Sequence, residues 1–128
     1  MTLPRRLVLL WASVGLVVIG CQSAPTAVSD GTVTVTSSAG ALRLANGSSF
    51  PVNYFLLARD AAPLIDWAPC AGPGCPVIPA HGTVIAPRGQ VAGLSAGTTE
   101  VVTYWWRSIL DGNGGFRPDS IRALVARL

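Results

Sequence analysis

The sequence predicts a small all-β domain folded as a sandwich of two antiparallel sheets. Turn-forming residues recur roughly every 8 to 15 positions along the chain. The segments between these turns have the alternation, or the β-branched and aromatic content, that is typical of strands. Residues 31–128 suffice for one such domain, and a chain of this size buries about 60 to 65% of the surface that it exposes when unfolded.

The first three strands are predicted from alternation and from the turn that separates them. Residues 32–36 alternate valine with threonine, and residues 41–45 carry leucine at every second position. Each segment therefore has one apolar face, as a half-buried strand does. The sequence Asn-Gly-Ser-Ser at 46–49 predicts a turn, after which Pro51 opens a strand over 52–58.

Three further strands are expected in the middle of the domain. Residues 64–67 continue as a strand into the loop between the cysteines, and residues 83–86 form a short strand between two glycine-containing turns. Residues 99–107 give the clearest signal, because they are rich in β-branched and aromatic side chains.

The last segment, residues 120–128, fits either a helix or a strand. Its apolar residues stand at helical spacing, and polar residues before it could cap a helix. As a strand, it would direct Ile121, Ala123 and Val125 inward, after a glycine-rich connection at 111–115. We favour the strand, since an all-β chain of this length otherwise leaves a sheet edge unpaired. About seven short strands then predict an immunoglobulin-like sandwich.

The N-terminal segment has the pattern of an export signal. Arg5 and Arg6 precede an apolar run over 7–19, which ends at Gly20 before Cys21. The run is shorter than the roughly 20 apolar residues that a membrane-spanning helix needs. Its charged start and the small residue at its end match a secretory signal peptide, which is removed.

The boundary Val18-Ile19-Gly20-Cys21 resembles the lipobox of bacterial lipoproteins, and the mature part is similar in kind to small bacterial envelope lipoproteins. The resemblance implies that cleavage precedes Cys21, that its thiol receives a diacylglyceryl group, and that acyl chains such as palmitate hold the protein at the membrane. It implies a place in the cell envelope. Because Gln22 replaces the aspartate that retains many lipoproteins in the inner membrane, it points to the outer membrane, facing the periplasm, in a cell with two membranes. The alternative is an ordinary signal peptide that contains a cysteine.

Residues 21–30 are rich in small and polar residues, so we expect a flexible, lipid-bearing tether between the signal peptide at 1–20 and the domain at 31–128.

The charges and motifs of the mature chain exclude several classes of partner. Without the leader, seven arginines face six acidic residues and no basic run remains, so nucleic acid is not an expected partner. The glycines of 111–115 lack the strand-to-helix context of a phosphate loop, and we expect no nucleotide and no cofactor.

Two cysteines remain after Cys21 is assigned to lipid. Cys70 and Cys75 form an even pair in an oxidising compartment, and the four residues between them are turn-forming. We expect a local disulfide that stabilises the domain by about 2 kcal/mol and stiffens an exposed loop.

Aromatic residues supply a candidate binding surface, made of Trp67, Tyr104, Trp105 and Trp106. Neighbouring strand residues point to opposite faces, so Trp105 and Trp106 cannot both enter one core. We expect one of them to anchor the core. The other either lies on the outer face, alone or with Tyr54 or Trp67, or is covered by a loop or by the other sheet.

A metal or catalytic site has little support in the sequence. A zinc site would combine His81 with Cys70, Cys75 and either Asp60 or Asp66, a spacing that matches no common zinc pattern. We expect no metal.

Nucleophilic catalysis has equally little support. Ser95 or Ser108 would need His81 as its base, and no Gly-x-Ser-x-Gly elbow is present. We therefore expect a non-enzymatic protein with a binding or structural role, and we favour binding of an envelope protein through a sheet edge or the rigid cysteine loop. Recognition of a glycan or small ligand by exposed aromatic residues is the alternative, and a hydrolase or metal site at His81 is a third and weaker one.

Overall fold

The computed structural model describes residues 26–38 and 40–128, which form two four-stranded antiparallel sheets. The first sheet has the strand order β1-β2-β3-β6, and the second has the order β5-β4-β7-β8. The predicted all-β sandwich is confirmed. The eight strands are β1 (Thr26–Ser29), β2 (Val33–Ser38), β3 (Ala41–Asn46), β4 (Val52–Ala58), β5 (Val77–Ile78), β6 (Thr83–Pro87), β7 (Glu100–Leu110) and β8 (Phe116–Arg127).

The chain passes between the two sheets in an immunoglobulin-like manner. Strand β3 pairs with β6 in the first sheet, whereas β4 pairs with β7 in the second. Strands that are distant in sequence therefore lie side by side, as the Greek-key connections of immunoglobulin-type sandwiches require. The β7–β8 hairpin and the short β4–β5 pair complete the second sheet.

The core lies between the sheets and follows the period-two patterns of the strands. Alternate residues of β2 and β3 point inward because successive side chains of a strand face opposite sides. They meet the inner faces of β4, β7 and β8. The fully buried members of this core are Val33, Val35, Leu42, Leu44, Val52, Ala58, Ile78, Ala86 and Val101.

The tether prediction is wrong for residues 26–29, which form β1. This strand pairs with β2 in an antiparallel register that sets Val28 opposite Val35, and Val28 packs against the core. Its residues have little apolar area of their own, but β2 offers a free edge whose backbone groups they satisfy. Residues 21–25 and the signal peptide expected at 1–20 lie outside the described residues.

The prediction of a strand at 64–67 is also wrong. The chain forms a 3₁₀ helix at Arg59–Leu64 and then runs without strand pairing to the disulfide. Pro63 lies inside this turn, where its fixed φ suits the helical geometry, and residues 65–67 after the turn pair with no strand. A second 3₁₀ turn, Arg88–Gln90, precedes β7.

The C-terminal segment is a strand and not a helix, as favoured, but its expected orientation is wrong. Leu124 and Ala126 point into the core, whereas Ile121, Ala123 and Val125 are exposed. The register explains this orientation, because Leu124 lies opposite Thr103, whose side chain points inward. Both faces of the segment are apolar, so alternation alone could not distinguish them.

Candidate binding face on the second sheet

Four aromatic rings form a cluster on the face of the second sheet that points away from the core. This aromatic cluster consists of Phe55, Trp67, Tyr104 and Trp106. The ring of Trp67 stacks on Phe55 at 4.8 Å and packs at 4.6 Å from Tyr104 and 5.9 Å from Trp106. Phe55, Trp67 and Tyr104 are half-buried, which leaves part of the cluster open to solvent.

The two adjacent tryptophans point to opposite faces, and both are buried. Trp105 belongs to the core and is 6% exposed, while Trp106 lies on the outer face and is only 1% exposed. The expectation of one core anchor is confirmed. Trp106 is the residue that a loop covers, and Tyr54 packs against the core and does not join the outer aromatic residues. Burial raises the pKa of the Tyr54 hydroxyl above its ordinary value.

A disulfide closes the loop that covers Trp106. Cys70 and Cys75 are bonded as expected, with their Cα atoms 5.6 Å apart. We call residues 65–76 the disulfide loop. Its Cys70 carbonyl accepts a 3.0 Å hydrogen bond from the indole nitrogen of Trp106, and its Pro76 carbonyl accepts one of 3.0 Å from the Asn53 amide.

A polar bridge on β4 and β7 holds the tip of the disulfide loop. The Gly72 N–H donates to the Ser108 hydroxyl at 3.0 Å, and that hydroxyl donates to the Asn53 side chain at 2.6 Å. Gly72 has a φ of 98°, and a Cβ at this position would lie 2.9 Å from the ring of Phe116. The loop is thus fixed by side chains of three strands, and glycine is required where it meets β8.

The exposed residues of β8 extend the aromatic cluster toward the sheet edge. Ala123 lies opposite Tyr104, which in turn lies opposite Phe55, so the three share one row across the sheet. Ile121 is 46% exposed and Val125 is 40% exposed on the same face of β8. We call this surface the outer apolar face; its members are the aromatic cluster with Ile121, Ala123 and Val125.

An acidic side chain connects the two sheets at the side where β1 lies near β8. The Asp30 carboxylate accepts hydrogen bonds from the Thr32 and Val33 backbone N–H groups at 2.9 and 3.0 Å, and from the Trp105 indole at 2.8 Å. Burial opposes ionisation of Asp30, but these donors and the charge of Arg122 outweigh it, and the pKa of the carboxyl lies below its usual value of 3.8.

The residues considered for a zinc site do not form one in this structure. Cys70 and Cys75 are joined in the disulfide and hold no free thiolate for zinc. His81 is an exposed turn residue with a φ of 52°, and its backbone N–H donates to the Ser48 carbonyl. Within residues 26–38 and 40–128, His, Cys, Asp and Glu side chains form no group of three that could hold a metal ion.

The two serines considered as nucleophiles have other partners. The Ser108 hydroxyl donates to Asn53, and the Ser95 hydroxyl lies 3.3 Å from that of Thr98. Neither hydrogen bond involves His81, which would have to be the general base if the protein were a hydrolase.

A shallow polar cavity of about 240 Å³ lies at the start of β7. Arg59 and Glu100 form an ion pair there, and Asp60 accepts a hydrogen bond from the Thr98 hydroxyl. These charged groups are therefore already paired within the protein, and we assign the cavity no ligand.

The sequence analysis did not identify four members of the outer apolar face. Phe55 was not considered, and the three exposed β8 residues Ile121, Ala123 and Val125 were expected to point into the core. A signal for Phe55 does exist: residues 52–58 are apolar at both parities, and a strand that is apolar on both sides is covered on both sides.

No protein-family model matches the chain, and comparisons with curated proteins and with solved structures find no significant match. In the part of the chain that the structure describes, no helix is long and apolar enough to cross a membrane.

Proposed function

We propose that this chain is a lipid-anchored protein of the cell envelope that binds a partner protein through its outer apolar face. It performs no chemistry of its own. The anchor rests on the lipobox-like sequence that ends at Cys21 and places the domain at a membrane surface, facing the periplasm in a cell with two membranes.

The observation that carries the binding proposal is the partly exposed aromatic cluster. Large apolar groups that remain at a surface beside an open strand edge are typical of interaction sites. Trp67 and Tyr104 combine a large contact area with few rotatable bonds, so they lose little entropy on binding. The disulfide loop adds a rigid rim, because its tip is held by Ser108 and Phe116.

The distribution of exposed residues favours a protein partner over a glycan. Sugar-binding platforms present exposed indole rings beside polar groups, yet Trp105 and Trp106 are buried. The exposed large apolar residues of β8 on this face are the aliphatic Ile121 and Val125. A flat aliphatic surface at a sheet edge suits another protein's apolar side chains.

Glycan binding remains a second candidate because Trp67 and Tyr104 are half-buried rather than fully covered. It makes a different prediction for single substitutions. Trp67→Ala would abolish binding of cell-wall fragments, while Ile121→Arg, which leaves the aromatic rings in place, would preserve it.

The experiment for the protein partner uses two matched isoleucines. Ile121 lies on the outer apolar face, and Ile85 is 62% exposed on β6 of the opposite sheet. The wild-type protein and the variants Ile121→Arg and Ile85→Arg are cross-linked in cells, and the captured proteins are identified by mass spectrometry. One envelope protein should be captured by the wild type and by Ile85→Arg and be lost from Ile121→Arg. Equal capture by both variants would contradict the proposed face.

The anchor is tested separately by fractionation of cells that express Cys21→Ser. Without the thiol no diacylglyceryl group can be attached, so the protein should leave the membrane pellet for the soluble fraction. Retention in the pellet would contradict lipidation without bearing on the outer apolar face.

A further inference from the structure

Two of the three asparagines in the chain precede glycine, at Asn46-Gly47 and Asn113-Gly114. An asparagine in this context can deamidate without an enzyme, because the backbone nitrogen of the next residue attacks the side-chain carbonyl carbon and glycine leaves that approach open. The reaction requires a mobile asparagine side chain and a free N–H on the following residue. The fold restrains the first of these sites and leaves the second exposed.

Asn46 is held in place on every side. It is 2% exposed, and its amide group donates to the carbonyls of Phe50, Ile78 and Pro79 at 2.7, 3.3 and 3.2 Å. The Gly47 N–H, which would be the attacking group, donates to the Thr32 carbonyl at 2.8 Å. Attack at Asn46 therefore requires the local structure to open first.

Asn113 lies at the exposed tip of the β7–β8 hairpin and lacks these restraints. Its backbone N–H and that of Gly115 donate to the Asp111 carboxylate at 2.7 and 3.1 Å. In residues 26–38 and 40–128, no acceptor binds the Asn113 amide group or the Gly114 N–H. Glycines on both sides of Asn113 give the tip the backbone freedom that ring closure needs.

We propose that Asn113 is a site of spontaneous deamidation and that Asn46 is protected by the fold. The Gly114 nitrogen forms a bond to Cγ of Asn113, and the side-chain nitrogen leaves as ammonia, so that a succinimide ring results. Water then adds to either ring carbonyl and gives aspartate or isoaspartate. The net reaction consumes one water and releases one ammonia.

The modification changes the hairpin tip in two ways. It adds one negative charge, and in the isoaspartate form it lengthens the backbone by one methylene group. Phe116 follows the tip directly and packs against Gly72 of the disulfide loop. The changed tip therefore lies beside one rim of the outer apolar face, although the inference does not depend on the proposed function.

The test compares the two asparagines within one molecule. The purified full-length protein is incubated at neutral and at mildly alkaline pH, and peptide mapping measures aspartate and isoaspartate at both positions over time. Asn113 should react at least about tenfold faster than Asn46, because Asn46 must first open. Both rates should become similar in denaturant, where the sequence Asn-Gly is the same at each site.

The outcome that overturns the inference is equally specific. If Asn113 stays intact in the folded protein but reacts in denaturant, the hairpin tip is protected and the inference is wrong. It is also wrong if Asn46 reacts as fast as Asn113 in the folded protein. As a control, Asn113→Gln should remove the acidic form that accumulates on isoelectric focusing.

Discussion

At the scale of single residues, the stability of this small domain depends on whether its buried polar atoms find partners. Asn46 satisfies both ends of its amide, with three carbonyl acceptors and the N–H and hydroxyl of Ser48 as donors. Thr103 does not satisfy its own hydroxyl. It is 0% exposed in the core, and among the described residues its hydroxyl oxygen has no hydrogen-bond partner.

Thr103→Val is therefore expected to stabilise the domain. Valine keeps the branched shape and removes a hydroxyl whose burial without a partner costs about 1 kcal/mol or more. The free energy of unfolding, measured in urea, should rise by about 1 kcal/mol. The matched control is Thr98→Val, which should lower it, because the Thr98 hydroxyl donates to Asp60 and accepts from the Ser95 N–H. A destabilised Thr103→Val would show that the hydroxyl has a partner.

Asp30 makes stability depend on pH in a defined direction. Its pKa is lower in the folded protein than the ordinary 3.8, so the folded state binds its proton less readily than the unfolded chain does. The resulting stabilisation is complete above about pH 4 and is lost as pH falls through the folded pKa.

Urea unfolding of the wild type and of Asp30→Asn between about pH 3 and pH 7 measures this contribution. The variant should be less stable near neutral pH, and the difference should shrink as the solution becomes acidic. A difference that stays constant across this range would show that ionisation of Asp30 does not matter.

At the scale of strands and loops, alternation identified the elements whose two faces differ. The strands predicted at 32–36 and 41–45 match β2 and β3 to within two residues at each end, and their valines and leucines point inward, because only one parity in each carries large aliphatic side chains. The same rule could not orient β8, since both of its faces are apolar. It also could not find β1, which has almost no pattern of its own and exists because β2 presents an unpaired edge.

The candidate site was predictable to a similar extent. Local spacing sufficed for the Cys70–Cys75 disulfide, because the two cysteines flank a turn. The contacts between Trp67 and Phe55, and between Gly72 and Phe116, join residues distant in sequence. They depend on the sheet order and on the path of the disulfide loop, which no local pattern contains.

The disulfide loop is expected to be a local structural feature rather than a condition for folding. Replacing both Cys70 and Cys75 with serine should lower the free energy of unfolding by about 2 kcal/mol, as for any short closed loop. The far-ultraviolet circular dichroism should keep its β signal, while tryptophan fluorescence should change because the loop covers Trp106. Loss of the β signal would show that the sandwich depends on the disulfide.

At the scale of the whole molecule, the inner faces of the two sheets differ from the outer face of the second sheet in how completely they are covered. The inner faces of both sheets enclose a continuous core, and Asp30 links the β1–β2 turn to Trp105 of β7. The outer face of the second sheet is only partly covered by the disulfide loop. If Cys21 carries the proposed lipid, the domain lies close to the membrane surface, because strand β1 begins only five residues after Cys21.

The central claim, that the outer apolar face is the binding surface, is tested most directly by photo-cross-linking in living cells. A photoreactive amino acid replaces Val125 on this face or, as the control, Ile85 on the opposite sheet. After irradiation, the protein labelled at position 125 should form one recurrent adduct with an envelope protein, and the protein labelled at position 85 should not. The same adduct from both positions, or an adduct from position 85 alone, would contradict the account.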